Sequence, residues 1–563
     1  MPLSIPKDVG HLLLWTWDEI SPLFQNLENR SLTAANLKDW LADWSDLSAG
    51  VAELYNRLYV ATTVNTADQD ARQRRERFLD EIYPPSMQAE QNLKHKLLDS
   101  GLEPEGFDIP LRNMRAEAAL FRQTNLPLLA GEQKLNDQYD SIIGAQTVTW
   151  EGSELTLPQI SRVYQDPDRS RRERAWRLAA ERQLEDRKAI HSLWAKLLAL
   201  RQQISGNAGL DYRTYRWQQY LRFDYTPQDC RQFHDAIEQV VVPAARRVYA
   251  QRRLRLGLDT LRPWDLEVDP LNRPALRPFK DVDELMRKTA VIFRRVDPQL
   301  GDYFDRMVTE DLLDLDNRKN KSPGGYCTGF AAVRLPFIFA NSVGVHDDVQ
   351  TLLHEGGHAF HIFESRVLPY YAQTNVPTEF AEVASMSMEL LASPFLAESC
   401  GGFYSEAGAA RARVETLERW ILFWPYMAVV DAFQHWVYEN PAKASNSDQC
   451  DACWGSLWQR FMPGVDWSGL EDARVTGWQR KLHIHTEPFY YVEYGLAQLG
   501  AVQVWRNSLT DQAGAVASYR RALALGGTVS LPQLFQAAGA RLAFNQAALQ
   551  SAVELMEATI AEL

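Results

Sequence analysis

Gly356 and Gly357 stand side by side in the stretch LLHEGGHAFHIF, Leu352 to Phe363, where the apolar spacing predicts the interior of a helix. Each glycine in such a position costs about 0.8–1.0 kcal/mol relative to alanine. Flanking Leu352, Leu353, Phe360 and Ile362 mark the helix as buried. The missing side chains therefore predict that a second helix or a strand comes too close to this helix for a Cβ to fit.

The same stretch carries His354 and His358, four residues apart and so on one helical face, one turn apart, where both imidazoles can share a metal ion. Glu355 is rotated by about 100° from His354 on a helix and is placed to act on a water rather than to ligate. H-E-x-x-H is the zincin pattern, two ligands and a general base. The bland reading is a helix with two surface histidines. Against it, a buried His or Glu needs partners.

A third ligand is required. In the metzincin arrangement the helix breaks at a glycine and a third His follows, but here those positions are His361 and Glu364. The other solution is a carboxylate from a second helix, and PTEFAEVASMSMELLAS, opened by Pro377 and Thr378, offers Glu379, Glu382 and Glu389. Glu382 and Glu389 are seven residues apart, nearly on one face but about 10.5 Å apart along the axis. Only one can touch the metal; the other would be an acceptor for a ligand His or an ordinary ion-pair residue. Spacing leaves the choice open.

HEGGHAFH followed by TEFAEVASMSME resembles the thimet-oligopeptidase-like zinc peptidases, and more closely their oligoendopeptidase F-like branch, in which H-E-x-G-H-x-x-H precedes F-x-E-x-x-S. NAGLDYRTYRW, KSPGGYCTGF, PFIFAN and HIHTEPFYYVEYGLAQLGA resemble that branch too, the TWEGSELTL hairpin more weakly, and the first hundred residues only in being helical. The resemblance implies His354, His358 and Glu382 as ligands of one Zn2+ per chain and Glu355 as the base. It also implies that His483, ahead of His485, and Tyr490 and Tyr494 face the metal across a deep cleft. Without it, aromatic packing is the better reading of that segment. Gly324, Gly325, Tyr326 and His485 are expected substrate contacts. GGYCTGF and RLPFIFANS are expected as edge strands beside the site, pairing with a peptide backbone.

The implied activity is internal cleavage of short peptides. A carboxypeptidase or dipeptidyl carboxypeptidase on the same site would need a clamp for the substrate carboxylate, and no single Arg or Lys identifies itself. A peptide-binding module that has lost catalysis would not need Glu355.

The implied fold is mostly α, a zincin-like two-lobed peptidase with a small β element beside the HExxH helix. The chain of 563 residues reads as a helical N-terminal lobe, 1–190, with a hairpin near 147–158, and a catalytic region, 191–563. TAANLKDWLADWSDL sets Leu37, Trp40, Leu41, Trp44 and Leu47 at helical spacing behind a Thr33 cap. The Arg169, Arg171, Arg172 and Arg174 cluster reads as a solvated face with i,i+4 partners. The Pro-rich loop DTLRPWDLEVDPLNRPALRPF is expected to be anchored by its aromatics, and His435 and the C-x-x-C of Cys450 and Cys453 to be structural or incidental.

A formal charge of −13 argues against nucleic acid or an anionic membrane as partner. The Trp420–Phe433 run is too short for a membrane span and contains Asp431. Five cysteines and no secretory signal pattern at the start predict a reduced, cytoplasmic protein, in which the Asn29–Ser31 sequon has no role. Oligomeric state is not legible.

Overall fold

The computed structural model describes residue 5 and residues 8–318, 321–322 and 324–563. It is mostly helical, with five short strands among the described residues, and no described helix is long and apolar enough to cross a membrane. Helix α1 spans Leu37–Val64. Its expected stripe is buried, Leu37, Trp40, Leu41, Trp44 and Leu47 all lying in a core formed by the N-terminal helices alone. The cap differs: Asn36 is the N-cap residue, and its side chain accepts from the Thr33 N–H at 2.8 Å.

The hairpin pairs β1 (Thr147–Trp150) with β2 (Ser153–Thr156), Trp150 opposite Ser153, around Glu151 and Gly152 with φ of 50° and 83°. Helix α2 (Arg169–Glu185) is N-capped by Asp168, and α3 (Arg187–Asn207) begins after a break at Asp186. The arginine cluster is not the expected solvated face. Arg172 is buried and, with Arg169, binds the fully buried Asp265 of the Pro-rich loop. Arg171 pairs with Glu151, and Arg174 lies over the Trp150 ring. Trp264 and Phe279 are buried and anchor the loop as expected.

Helices α4 (Pro227–Ala236) and α5 (Val282–Val296) lead to a three-stranded sheet. Its order is β3 (Leu313–Asp316), β5 (Leu335–Ser342), β4 (Tyr326–Phe330). β4 runs antiparallel to β5, Tyr326 opposite Phe339, and β3 runs parallel to it, Leu313 opposite Ile338. Only β4 of the two expected edge strands is an edge; RLPFIFANS is central because β3, unforeseen in the sequence, covers its other side. The second half of α1 fastens onto β4 and the turn after it. Asn56 donates to the Gly329 carbonyl at 2.8 Å, Glu53 accepts from the Val333 N–H at 3.0 Å, and Thr63 hydrogen-bonds the Tyr326 hydroxyl at 2.6 Å.

The larger core is built on α6 (His346–Ser365), α7 (Thr378–Ala392), α8 (Glu406–Glu439) and α9 (Tyr491–Thr510). α8 runs 34 residues with Pro425 inside and buries Trp420, Ile421, Trp424, Met427, Ala428 and Phe433.

Candidate metal centre

The two glycines are explained by two different neighbours. A Cβ on Gly357 would lie 2.5 Å from the Ala384 carbonyl oxygen and 2.5 Å from Ser385 Cα, so only glycine lets the backbone of α7 cross α6 there. A Cβ on Gly356 would lie 2.4 Å from Cζ of Phe293 on α5. Gly356 thus makes room for an aromatic ring of the core, neither the second carboxylate helix nor the strand.

That crossing puts Glu382 of α7 against the histidines of α6. Glu382 Oε2 is 3.3 Å from His354 Nε2 and 3.6 Å from His358 Nε2. Its position is over-determined: Tyr490 donates to Oε1 at 2.7 Å and Ser385 to Oε2 at 3.0 Å. Of the three competing carboxylates, Glu389 instead accepts from His354 Nδ1 at 2.7 Å, which fixes the imidazole with Nε2 toward Glu382. Glu379 faces away, accepting from the Tyr225 hydroxyl at 2.6 Å and lying 3.4 Å from Arg222 Nε.

The electrostatics call for a positive charge at this point. Against the cost of burial, Glu382 and Glu389 raise the pKa of His354 well above its usual value. Burial lowers His358 to about 4, with the His354 charge adding to it and Glu382 opposing it. Burial is also resisted at Glu382, which His358 and His354 hold down to about 2. The donor set of two imidazoles and one carboxylate, with all three atoms within 4.8 Å of one another, suits zinc. The His354 and His358 side chains are 21% and 20% exposed while Glu382 is 4%, so the site opens on the histidine side.

Glu355 is buried beside them, its carboxyl pushed up to about 7 by burial and the nearby Glu382 and Glu389 charges. Among the described residues its Oε2 has no hydrogen-bond partner, an orphan that a water or substrate N–H would satisfy. Gly325, at the start of β4, stands over it: a Cβ there would come within 3.8 Å of Glu355 Oε1. Gly324 has φ 93° and open space around it. Tyr326 stacks on Phe339 with ring centroids 4.8 Å apart, and its hydroxyl is taken by Thr63.

Across from the histidines, Tyr494 OH and His483 Nε2 lie 3.5 Å apart, and the Tyr490 and Tyr494 rings are 5.2 Å apart. Burial lowers His483 to about 3, with Lys481 adding to it, so the ring is neutral. His485 does not reach the site. It is fully buried, stacked on Tyr139 at 4.3 Å and edge-on to Trp194, with Nε2 3.3 Å from the Trp478 carbonyl, so its expected substrate contact is withdrawn.

Sequence reasoning missed the brace behind this wall. Arg222 donates to Glu493 at 2.6 Å and to the Phe489 carbonyl at 2.6 Å, tying α9 to Glu379 of α7. Phe489 itself has φ 66°, rare for a bulky residue, and its N–H donates to Gln434 at 2.6 Å. This turn sets Tyr490 at the start of α9. No motif announces it, because its partners are hundreds of residues apart.

Comparison with known proteins agrees with the fold and with the disposition of the helices. The chain matches the Peptidase family M3 model over residues 162–554 and the Peptidase M3 N-terminal domain over residues 15–106. It is 27% identical over 148 residues to the group B oligopeptidase PepB of Streptococcus agalactiae. It is 26% identical over 160 residues to the oligopeptidase PepF of Bacillus subtilis. These matches take in 26% and 28% of this chain and only 24% and 23% of the two relatives. A structure of PZ peptidase A with an inhibitor superposes with a TM-score of 0.90 at 26% identity, over 100% of this chain and 99% of that one. A provisionally named oligoendopeptidase F of Bacillus anthracis gives 0.86 at 23% identity, over 100% and 97%, a likeness of fold. With a family model covering most of its length, the chain belongs to peptidase family M3, a family of metallopeptidases.

Proposed function

We propose that the protein is a zinc-dependent oligoendopeptidase that hydrolyses internal bonds of short peptides. The observation that carries this reading is the convergence of His354, His358 and Glu382 beside the orphaned carboxylate oxygen of Glu355. A zinc ion held by those three residues would supply Lewis acidity to the attacking water and to the scissile carbonyl. Glu355 accepts a proton from that water and passes it to the leaving amine nitrogen, its unpartnered Oε2 facing the site for both halves of the transfer. Tyr494 and neutral His483 stand as donors for the carbonyl oxygen as negative charge grows on it. Tyr490 holds Glu382 in place and lines the same wall.

The edge of β4 that no strand covers, met by side chains of α1, supports binding of the peptide as an added strand. Backbone pairing reads little sequence, so broad side-chain tolerance follows. Gly324 and Gly325 keep that edge open, and Tyr326 flanks it.

The test is mass spectrometry of a peptide set from tripeptides to twenty-mers, incubated with the zinc-loaded protein and with Glu355→Gln. Internal cuts in short peptides, absent with the variant, are expected. Stepwise loss from the carboxyl end would replace this reading with a carboxypeptidase, and no cleavage by either protein would leave a binding module.

A further inference from the structure

A second cluster of metal-ligating side chains lies away from the proposed centre, between α4 and α8. α4 supplies Cys230 and His234 and α8 supplies Asp431 and His435, each pair four residues apart and so on one helical face. All four residues are buried, Cys230 and Asp431 fully. One donor atom from each of Cys230, Asp431 and His435 lies within 4.8 Å of the other two. His435 Nε2 is 3.4 Å from Asp431 Oδ2, the same spacing that separates the histidines from Glu382. Donors at zinc bond lengths of about 2.0–2.3 Å in a tetrahedron stand about 3.3–3.8 Å apart.

The hydrogen bonding of this cluster is incomplete. His234 Nε2 is bonded to Asp431 Oδ2 at 2.8 Å. Among the described residues, Asp431 Oδ1 and both ring nitrogens of His435 find no hydrogen-bond partner. The surroundings are aromatic, with Phe461 edge-on to His234 and Trp217 and Phe489 against His435. Buried polar atoms in an apolar shell are costly when unpaired.

We propose that Cys230, Asp431 and His435 bind a second, structural zinc ion, with His234 orienting Asp431 through its hydrogen bond. Binding displaces the thiol proton to solvent, and the thiolate and carboxylate then balance the two charges of the ion. The mixed sulfur, oxygen and nitrogen donors on two rigid helices are a zinc set rather than a calcium or magnesium one. The ion would pin α4 to α8, the helix that also carries Gln434, which holds the turn before Tyr490.

The experiment uses the full chain expressed with zinc or with cobalt and purified without chelator. Metal per chain is measured for the wild type and for His354→Ala/His358→Ala, which removes the proposed centre only. Two ions and one ion are expected, respectively. The cobalt-loaded wild type is expected to show a sulfur-to-cobalt charge-transfer band that Cys230→Ala abolishes and Cys327→Ala keeps. The wild-type spectrum needs no variant to fold. A metal-free double variant, or a cobalt protein without the sulfur band, would overturn the proposal and reduce the cluster to the His234–Asp431 hydrogen bond with His435 beside it.

Discussion

Helices α1 and α6 are both buried, yet they are buried for different reasons. The first turns of α1 present leucines and tryptophans to other N-terminal helices, with Trp40 and Trp44 rings 5.1 Å apart and Leu47 fully enclosed. α6 buries Glu355, His361, Gln350 and two glycines, residues that cost stability unless each meets a particular neighbour. A helix that buries what it should expose is assembled for chemistry. The first turns of α1, which bury mostly an apolar stripe, are assembled for shape; farther along the same helix the buried Glu53 meets Arg57 and the Val333 N–H.

Substitutions can break or sharpen that contrast. Glu355→Gln keeps the size and removes the proposed base; turnover of a fluorogenic peptide is expected to fall by about 10²–10⁴-fold with metal content and melting temperature unchanged. Retained turnover would assign the base elsewhere. Gly357→Ala forces α7 away from α6, because the added methyl meets backbone rather than a flexible side chain. An ångström of displacement costs about 100-fold in rate, and metal occupancy falls with it; a fully active alanine variant would show that the crossing does not set the site.

Glu389→Gln weakens the hold on His354 Nδ1 and is expected to lower zinc affinity by about 10–100-fold, read by competition with a chromophoric chelator, with little change in kcat at saturating zinc. An unchanged affinity would make Glu389 a bystander. Trp40→Ala, on the other helix, should cost about 3–5 kcal/mol of stability in urea melts while kcat of the folded molecules stays at the wild-type value. A drop in kcat there would mean that the N-terminal core and the site are coupled.

The same contrast explains what the sequence disclosed. The α1 stripe was legible because core packing follows a period that any single helix displays, and the HExxH face because its spacing is local. The choice among Glu379, Glu382 and Glu389 was not, since it depends on how α7 crosses α6, which Gly357 permits but does not specify. The resemblance ranked His483 ahead of His485 but kept both as site residues, yet two residues on a short helix are enough to turn one ring into the aromatic core and the other toward Tyr494. Strand β3 and the burial of Arg172 against Asp265 arise from pairings across many residues that leave no periodic trace.

The fastening of α1 onto β4 carries a mechanical consequence. The strand is hydrogen-bonded to β5 along its length, but toward α1 it is held by separate side-chain bonds from Asn56, Glu53 and Thr63 to the strand and the turn after it. Each such bond is worth about 0.5–1.5 kcal/mol net, and Arg57 over the Phe330 ring and the Tyr59–Tyr326 ring pair join the same side. The seam between α1 and the strand is therefore made of scattered side-chain contacts rather than a continuous backbone ladder, and a molecule pulled open is expected to part there, leaving β4 with β5. Parting along that line would bare the strand edge that now meets α1, the edge proposed to pair with a peptide.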